Sequence, residues 1–105
     1  MSEVSVLELK RRRDAAEPHV LLDVREPDEL AIASLPGATV IPMSEIADRY
    51  AELPHDVPIV VMCHGGVRSD RVTRFLNANG YPEAVNLAGG IDAWSASVDP
   101  AVPRY

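Results

Sequence analysis

Residues 63–69, Cys-His-Gly-Gly-Val-Arg-Ser, bring together a nucleophile, two backbone positions free of side chains, a permanent cation and a hydroxyl. Cys63 is the only cysteine in the chain. It cannot form an internal disulfide, which leaves an inert buried thiol, a reactive thiol or a bridge to another chain. A lone cysteine after the apolar run Val60-Val61-Met62 is, by itself, more often packing than catalysis. Its neighbours reverse that reading. A helix that starts just after the cysteine offers unpartnered NH groups and about half a positive charge, which favour a thiolate over a thiol. The thiolate is the nucleophilic form, and its pKa falls at helix N-termini and beside cations. Gly65 and Gly66 permit torsions closed to other residues, so successive NH groups can turn inward as an anion-binding nest. Arg68 can close the nest as a charged fork for an anionic substrate. Ser69 can add a hydroxyl hydrogen bond to the sulfur. His64 reads as a solvent-exposed loop residue. Arg71 and Arg74 read as a solvated helix face, with Arg71 near enough to add positive potential. The other histidines, His19 and His55, share no metal-ligand spacing with Cys63, and no metal is expected.

Such a loop needs a strand before it and a helix behind it. Three apolar runs predict buried strands, at residues 20–24, 38–43 and 58–63, and the last leads directly into Cys63. Residues 84–90 give a weaker strand, and residues 2–4 a short one. Helices are predicted from a capping box at Ser5-Val6-Leu7-Glu8 to about residue 15, over 26–33 with Pro27 in the first turn, and from Ser44 as N-cap to about Leu53. The clearest spans about Val67 to Asn79: Val72, Phe75 and Leu76 share a face and Gly80 supplies the stop. Residues 91–97 give a final helix before a proline-bearing tail. Strands alternating with helices imply a parallel sheet covered on both faces, with the active site at the carboxyl ends of the strands. The motif sits there.

The whole chain narrows the classes. At 105 residues, 47% hydrophobic and 25% charged, it fits one globular domain over residues 1–105. A net charge of −6 argues against nucleic acid or an anionic membrane as partner. There is no apolar run of bilayer-spanning length and no cationic-apolar leader pattern, so a cytoplasmic protein is expected.

Several segments together resemble the single-domain rhodaneses, the sulfurtransferase fold: CHGGVRS, LLDVREPDEL at 21–30, IASLPGATVIP at 32–42 and NGYPEAVNLAGGIDAW at 79–94. The tail VDPAVPRY is similar to that of rhodanese domains fused to adenylylating enzymes that activate sulfur carriers. The resemblance implies an α/β three-layer fold with a five-stranded parallel sheet and no cofactor. It implies that Cys63 takes sulfane sulfur from a donor such as thiosulfate, carries it as a persulfide, and yields it to cyanide, a thiol or a sulfur-carrier protein. A cysteine desulfurase is a candidate partner. His64, Gly65, Gly66, Val67, Arg68 and Ser69 correspond to the family's persulfide cradle. Asp23 and Arg25 match its Asp-x-Arg segment and read as structural support. Trp94 reads as a core anchor and Pro36-Gly37 as a turn.

Two rivals remain. Cysteine phosphatases and arsenate reductases of similar fold also place Cys and Arg around an oxyanion. Their loops carry five residues between the two, against four from Cys63 to Arg68 here. A non-catalytic binding or sensor module is the rival from another class, and the intact cysteine loop argues against it.

Overall fold

The computed structural model describes residues 3–105. Its centre is built by runs too apolar to face water on either side. Strand β2 (Val20–Asp23) and strand β4 (Ile59–Met62) pair in parallel, Leu22 beside Val61 and Asp23 beside Met62. Strand β5 (Val85–Leu87) lies on the other side of β4, with β1 (Glu3–Val4) at one edge and β3 (Thr39–Val40) at the other. All five strands are parallel, in the order β1-β5-β4-β2-β3. This is the expected five-stranded sheet. Of the short strand predicted over 2–4, residue 2 lies outside the described residues.

Alternation along the central strands divides the interior into two cores, as a period of two requires. Leu22, Val24, Ile59, Val61 and Cys63 pack with Ile46, Leu53, Val72 and Leu76 on one face. Leu21, Val60, Met62 and Leu87 pack with Val6, Leu9, Ile91 and Trp94 on the other. Helices α3 (Ile46–Arg49) and α4 (Val67–Ala78) therefore cover the first face, and α1 (Val6–Asp14) and α5 (Gly90–Ser97) the second. Trp94 is a core residue, 6% exposed.

The local signals explain most boundaries. The Ser5 hydroxyl accepts from the Glu8 NH at the start of α1, while the Glu8 carboxylate turns to Arg11 and Arg12 instead of completing the box. Helix α2 (Pro27–Ile32) opens on Pro27, and the Glu29 carboxylate accepts from the Glu26 NH across its first turn. Gly80, at φ +97°, ends α4.

Two segments differ from expectation. The apolar run 38–43 yields only two strand residues. Pro42 has no NH to donate to a ladder, and the chain turns into a 3-10 segment at Met43–Glu45. Ser44 sits inside that 3-10 turn and caps no helix. The predicted helix 44–53 is divided into the 3-10 turn, α3 and a second 3-10 turn at Tyr50–Glu52.

Candidate functional site

The carboxyl ends of β2, β4 and β5 converge, and the segments that leave these three strands build the site. After β4 the chain runs through Cys63 to Gly66, which caps α4 in the left-handed conformation at φ +103°. A side chain at Gly66 would be strained, and its Cβ would approach the Gly89 nitrogen to 3.2 Å. Gly65 departs from the pairwise expectation: it stays out of the left-handed region, and a Cβ there would meet nothing within 4 Å. One glycine therefore makes the turn that two were expected to share.

The turn is held from behind by α5. The NH groups of Ile91 and Asp92 donate to the carbonyls of Cys63 and His64 at 2.9 and 3.0 Å. With its carbonyls tied backward, the loop presents its NH groups forward. Gly90, at φ +60°, permits this closeness, because a Cβ there would run into both carbonyl oxygens.

Cys63 Sγ sits in the resulting nest, 1% exposed. The Gly66 NH donates to it at 3.1 Å, and the Ser69 hydroxyl lies 3.2 Å away. Burial pushes the thiol pKa up, but the Ser69 hydroxyl together with the NH groups of Ser69, Gly66 and Gly65 outweighs it. The net result is a thiol below its ordinary value, more easily ionised than a free cysteine.

Asn86 on β5 supports this arrangement. Its Nδ2 donates to the Gly66 carbonyl at 3.1 Å, which fixes the amide so that Oδ1 accepts from the Ser69 hydroxyl at 2.5 Å. Thr73 donates to the Ser69 carbonyl at 2.8 Å. Sequence reasoning passed over Asn86. The available signal was a polar residue between Val85 and Leu87 in a buried strand, where a polar group must have a partner.

Beside the nest lies a second cluster. Arg68, expected to present a free fork to an anion, has its guanidinium on the Glu29 carboxylate, Nη1 to Oε1 at 2.5 Å and Nη2 to Oε2 at 2.8 Å. The Tyr105 hydroxyl donates to the same carboxylate at 2.9 Å and accepts from Arg25 Nη1 at 3.0 Å. The Tyr105 ring meets His64 edge to face, centroids 4.2 Å apart, so His64 is half-buried and not the exposed loop residue expected. Val67 is exposed at the rim. Neither Glu29 nor Tyr105 stood out in the sequence, because their partners lie 39 and 76 to 80 residues away.

Asp23 and Arg25 form a fully buried pair, Nε to Oδ1 at 2.9 Å and Nη2 to Oδ2 at 2.7 Å. Arg25 Nη2 also donates to the Ala33 carbonyl at 2.8 Å, and so ties the end of β2 to the segment after α2. Arg74 pairs with Asp70 on the exposed face of α4. Arg71 lines an open groove of about 440 Å³ that borders Gly65 to Val67 and Asn86.

A nearly buried thiol with a lowered pKa, in an NH nest at the end of a parallel strand, is the geometry of a covalent sulfur or oxyanion site. The family model for the rhodanese-like domain matches residues 5–97. The chain belongs to the rhodanese-like family. It is 35% identical over 102 residues to a sulfurtransferase of Allochromatium vinosum, covering 97% of this chain and 95% of that protein. It is 32% identical over 111 residues to the maize adenylyltransferase and sulfurtransferase MOCS3-1, covering 99% of this chain and 24% of that protein. The chain thus spans nearly all of one relative and less than a third of some longer ones. The crystal structure of a rhodanese-like domain protein from Staphylococcus aureus matches at a TM-score of 0.85 with 34% identity, covering 100% of this chain and 99% of that one. The rhodanese fold and the sulfurtransferase relatives place this chain with the sulfurtransferases at the level of the family.

Proposed function

We propose that the chain acts as one rhodanese unit that moves sulfane sulfur through a persulfide on Cys63. The observation that carries this reading is the Cys63 sulfur inside its nest, with the Gly66 NH at 3.1 Å and the Ser69 hydroxyl at 3.2 Å. In the first half-reaction the Cys63 thiolate attacks the outer sulfur of a donor such as thiosulfate. The donor S–S bond breaks, sulfite leaves with the bonding pair, and Cys63–S–S⁻ remains. In the second, an acceptor nucleophile, cyanide or a thiolate, attacks the terminal sulfur and the Cys63 thiolate is restored. The same NH groups serve both forms of the anion, which is electrostatic preorganisation combined with covalent catalysis. His64, Gly65, Val67 and Arg68 complete the loop around the sulfur, and Asp23 and Arg25 hold the frame beneath it.

A Bacillus subtilis relative named as a putative sulfur carrier protein, 32% identical over 97 residues, supports a sulfur-carrier protein as one acceptor. A cysteine desulfurase is the matching donor class. The test is mass spectrometry of the intact protein after thiosulfate, and separately after a cysteine desulfurase with cysteine. The wild type gains the mass of one sulfur atom and Cys63→Ser gains none. Failure of the wild type to gain sulfur from either source overturns the proposal.

A further inference from the structure

The cation nearest the nest is not available to a substrate. Arg68 and the Cys63 thiolate feel each other's charge, yet both terminal nitrogens of Arg68 are engaged by Glu29. That carboxylate is itself fixed by four donors: the Glu26 NH, the two Arg68 nitrogens and the Tyr105 hydroxyl. Tyr105 is anchored in turn by Arg25, whose charge is spent on the buried Asp23. Asp92 faces His64 from α5 and is paired with Arg104. On the other side of the loop, Arg71 lines the open groove together with Glu3 and Asp70, and Asp70 is paired with Arg74. On the Glu29 side of the loop the charges therefore cancel in pairs, Arg68 with Glu29, Arg25 with Asp23 and Arg104 with Asp92, and the chain as a whole carries −6.

We propose that Glu29 is a specificity-determining residue: by holding Arg68 in a neutral pair, it makes the Cys63 loop favour persulfide sulfur carried on a thiol of low net charge over the thiosulfate dianion. This deepens the sulfurtransferase reading and rests on it. Thiosulfate brings two negative charges to a loop whose own guanidinium, Arg68, is already held on both terminal nitrogens by a carboxylate, whereas a bidentate guanidinium is the usual partner of such an anion. A thiol-borne persulfide reacts without that demand. The Cys63 thiolate attacks its outer sulfur, the S–S bond breaks, the carrier thiolate leaves with the electron pair, and the persulfide proton stays on the transferred sulfur.

The test compares thiosulfate with cysteamine persulfide, whose ammonium offsets its anion, with cyanide as common acceptor. Glu29→Gln keeps the shape and removes the charge. It is expected to raise kcat/KM for thiosulfate relative to cysteamine persulfide by about tenfold, through KM rather than kcat, as a dianion near a released cation requires. A donor ratio unchanged in Glu29→Gln overturns the proposal. A readout independent of turnover is protection of Cys63 from iodoacetamide by sulfate. Glu29→Gln should be protected at about tenfold lower sulfate, and equal protection overturns the role of Glu29 even if neither protein accumulates a persulfide. Should Glu29→Gln lose its cooperative melting transition, the wild type alone decides. Added sodium chloride should leave KM for thiosulfate flat or lower it, since no net attraction is being screened. A steep rise in KM with salt would mean a free cation at the mouth and would overturn the proposal.

Discussion

Replacing Ser69 by alanine removes one hydroxyl from a site where a single proton has two destinations. Ser69 is fully buried, with Cys63 Sγ at 3.2 Å on one side and Asn86 Oδ1 at 2.5 Å on the other. While Cys63 is a thiol, the S–H can donate to Ser69 and the Ser69 O–H to Asn86. Once Cys63 ionises, the hydroxyl turns to the sulfur and Asn86 Oδ1 loses its donor. A hydrogen bond to a charged group contributes about 1.5–3 kcal/mol, and the neutral bond given up offsets about 1 kcal/mol of it. The net preference for thiolate is then about 0.5–2 kcal/mol, or about 2–30-fold in the thiol-thiolate equilibrium. The assay is the rate of iodoacetamide modification of Cys63 against pH, followed by mass spectrometry, with the only cysteine of the chain as the only thiol. Ser69→Ala should shift the profile to higher pH and lower the rate on its rising limb by that factor. The plateau at high pH, which reports access to the nearly buried sulfur, should be little changed. Superimposable profiles for Ser69→Ala and wild type would refute the reasoning.

Three further outcomes are expected from the geometry. Asp23→Ala leaves the buried Arg25 guanidinium without its carboxylate and should cost about 3–5 kcal/mol in urea unfolding, whereas Asp23→Leu/Arg25→Met, which removes both charges, should cost clearly less; equal losses would mean that the charges are not the cause. Gly90→Ala should destabilise by at least about 3 kcal/mol, through positive φ and collision with two loop carbonyls. Gly65→Ala, whose Cβ meets nothing, should stay within about 0.5 kcal/mol, and thermal melts of the two variants side by side would check the contrast. Glu29 is held at about 2, against 4.5 for an unperturbed group, chiefly by Arg68. Its folded-state value is the lower one, so the stabilisation is complete above about pH 4.5 and disappears as pH falls through about 2. With Arg68 one-third exposed, about 1–2 kcal/mol is expected after screening. The urea midpoints of wild type and Glu29→Gln should differ at neutral pH and converge near pH 2.

Local chemistry alone singled out Cys63 as the candidate nucleophile and described its setting. Cys63 comes after an apolar run that only a buried strand accommodates, and Gly66 with the strongly amphipathic segment behind it starts a helix, so strand, turn and helix N-terminus could be read in order. The same kind of signal gave α1, α5 and the parallel sheet. It failed at residues 38–53, where apolar composition resembled a full strand and then one helix. There the outcome depended on how an edge strand ends at a proline and how Ile46 and Leu53 reach the core, which are matters of packing.

Only the tertiary structure decided what surrounds the sulfur. Asn86 comes from a strand two places removed from β2, Ile91 and Asp92 from the start of a helix on the opposite face of the sheet, Glu29 from 39 residues before Arg68, and Tyr105, which joins Glu29, from 76 residues beyond it. The physical reason is that a loop's NH groups and a residue's charge are local properties, while the pairing of a charge depends on which distant carboxylate the fold delivers to it. Sequence identified Arg68 as a cation beside a thiol. The fold placed Glu29 against it, and so changed a fork open to any anion into half of a neutral pair.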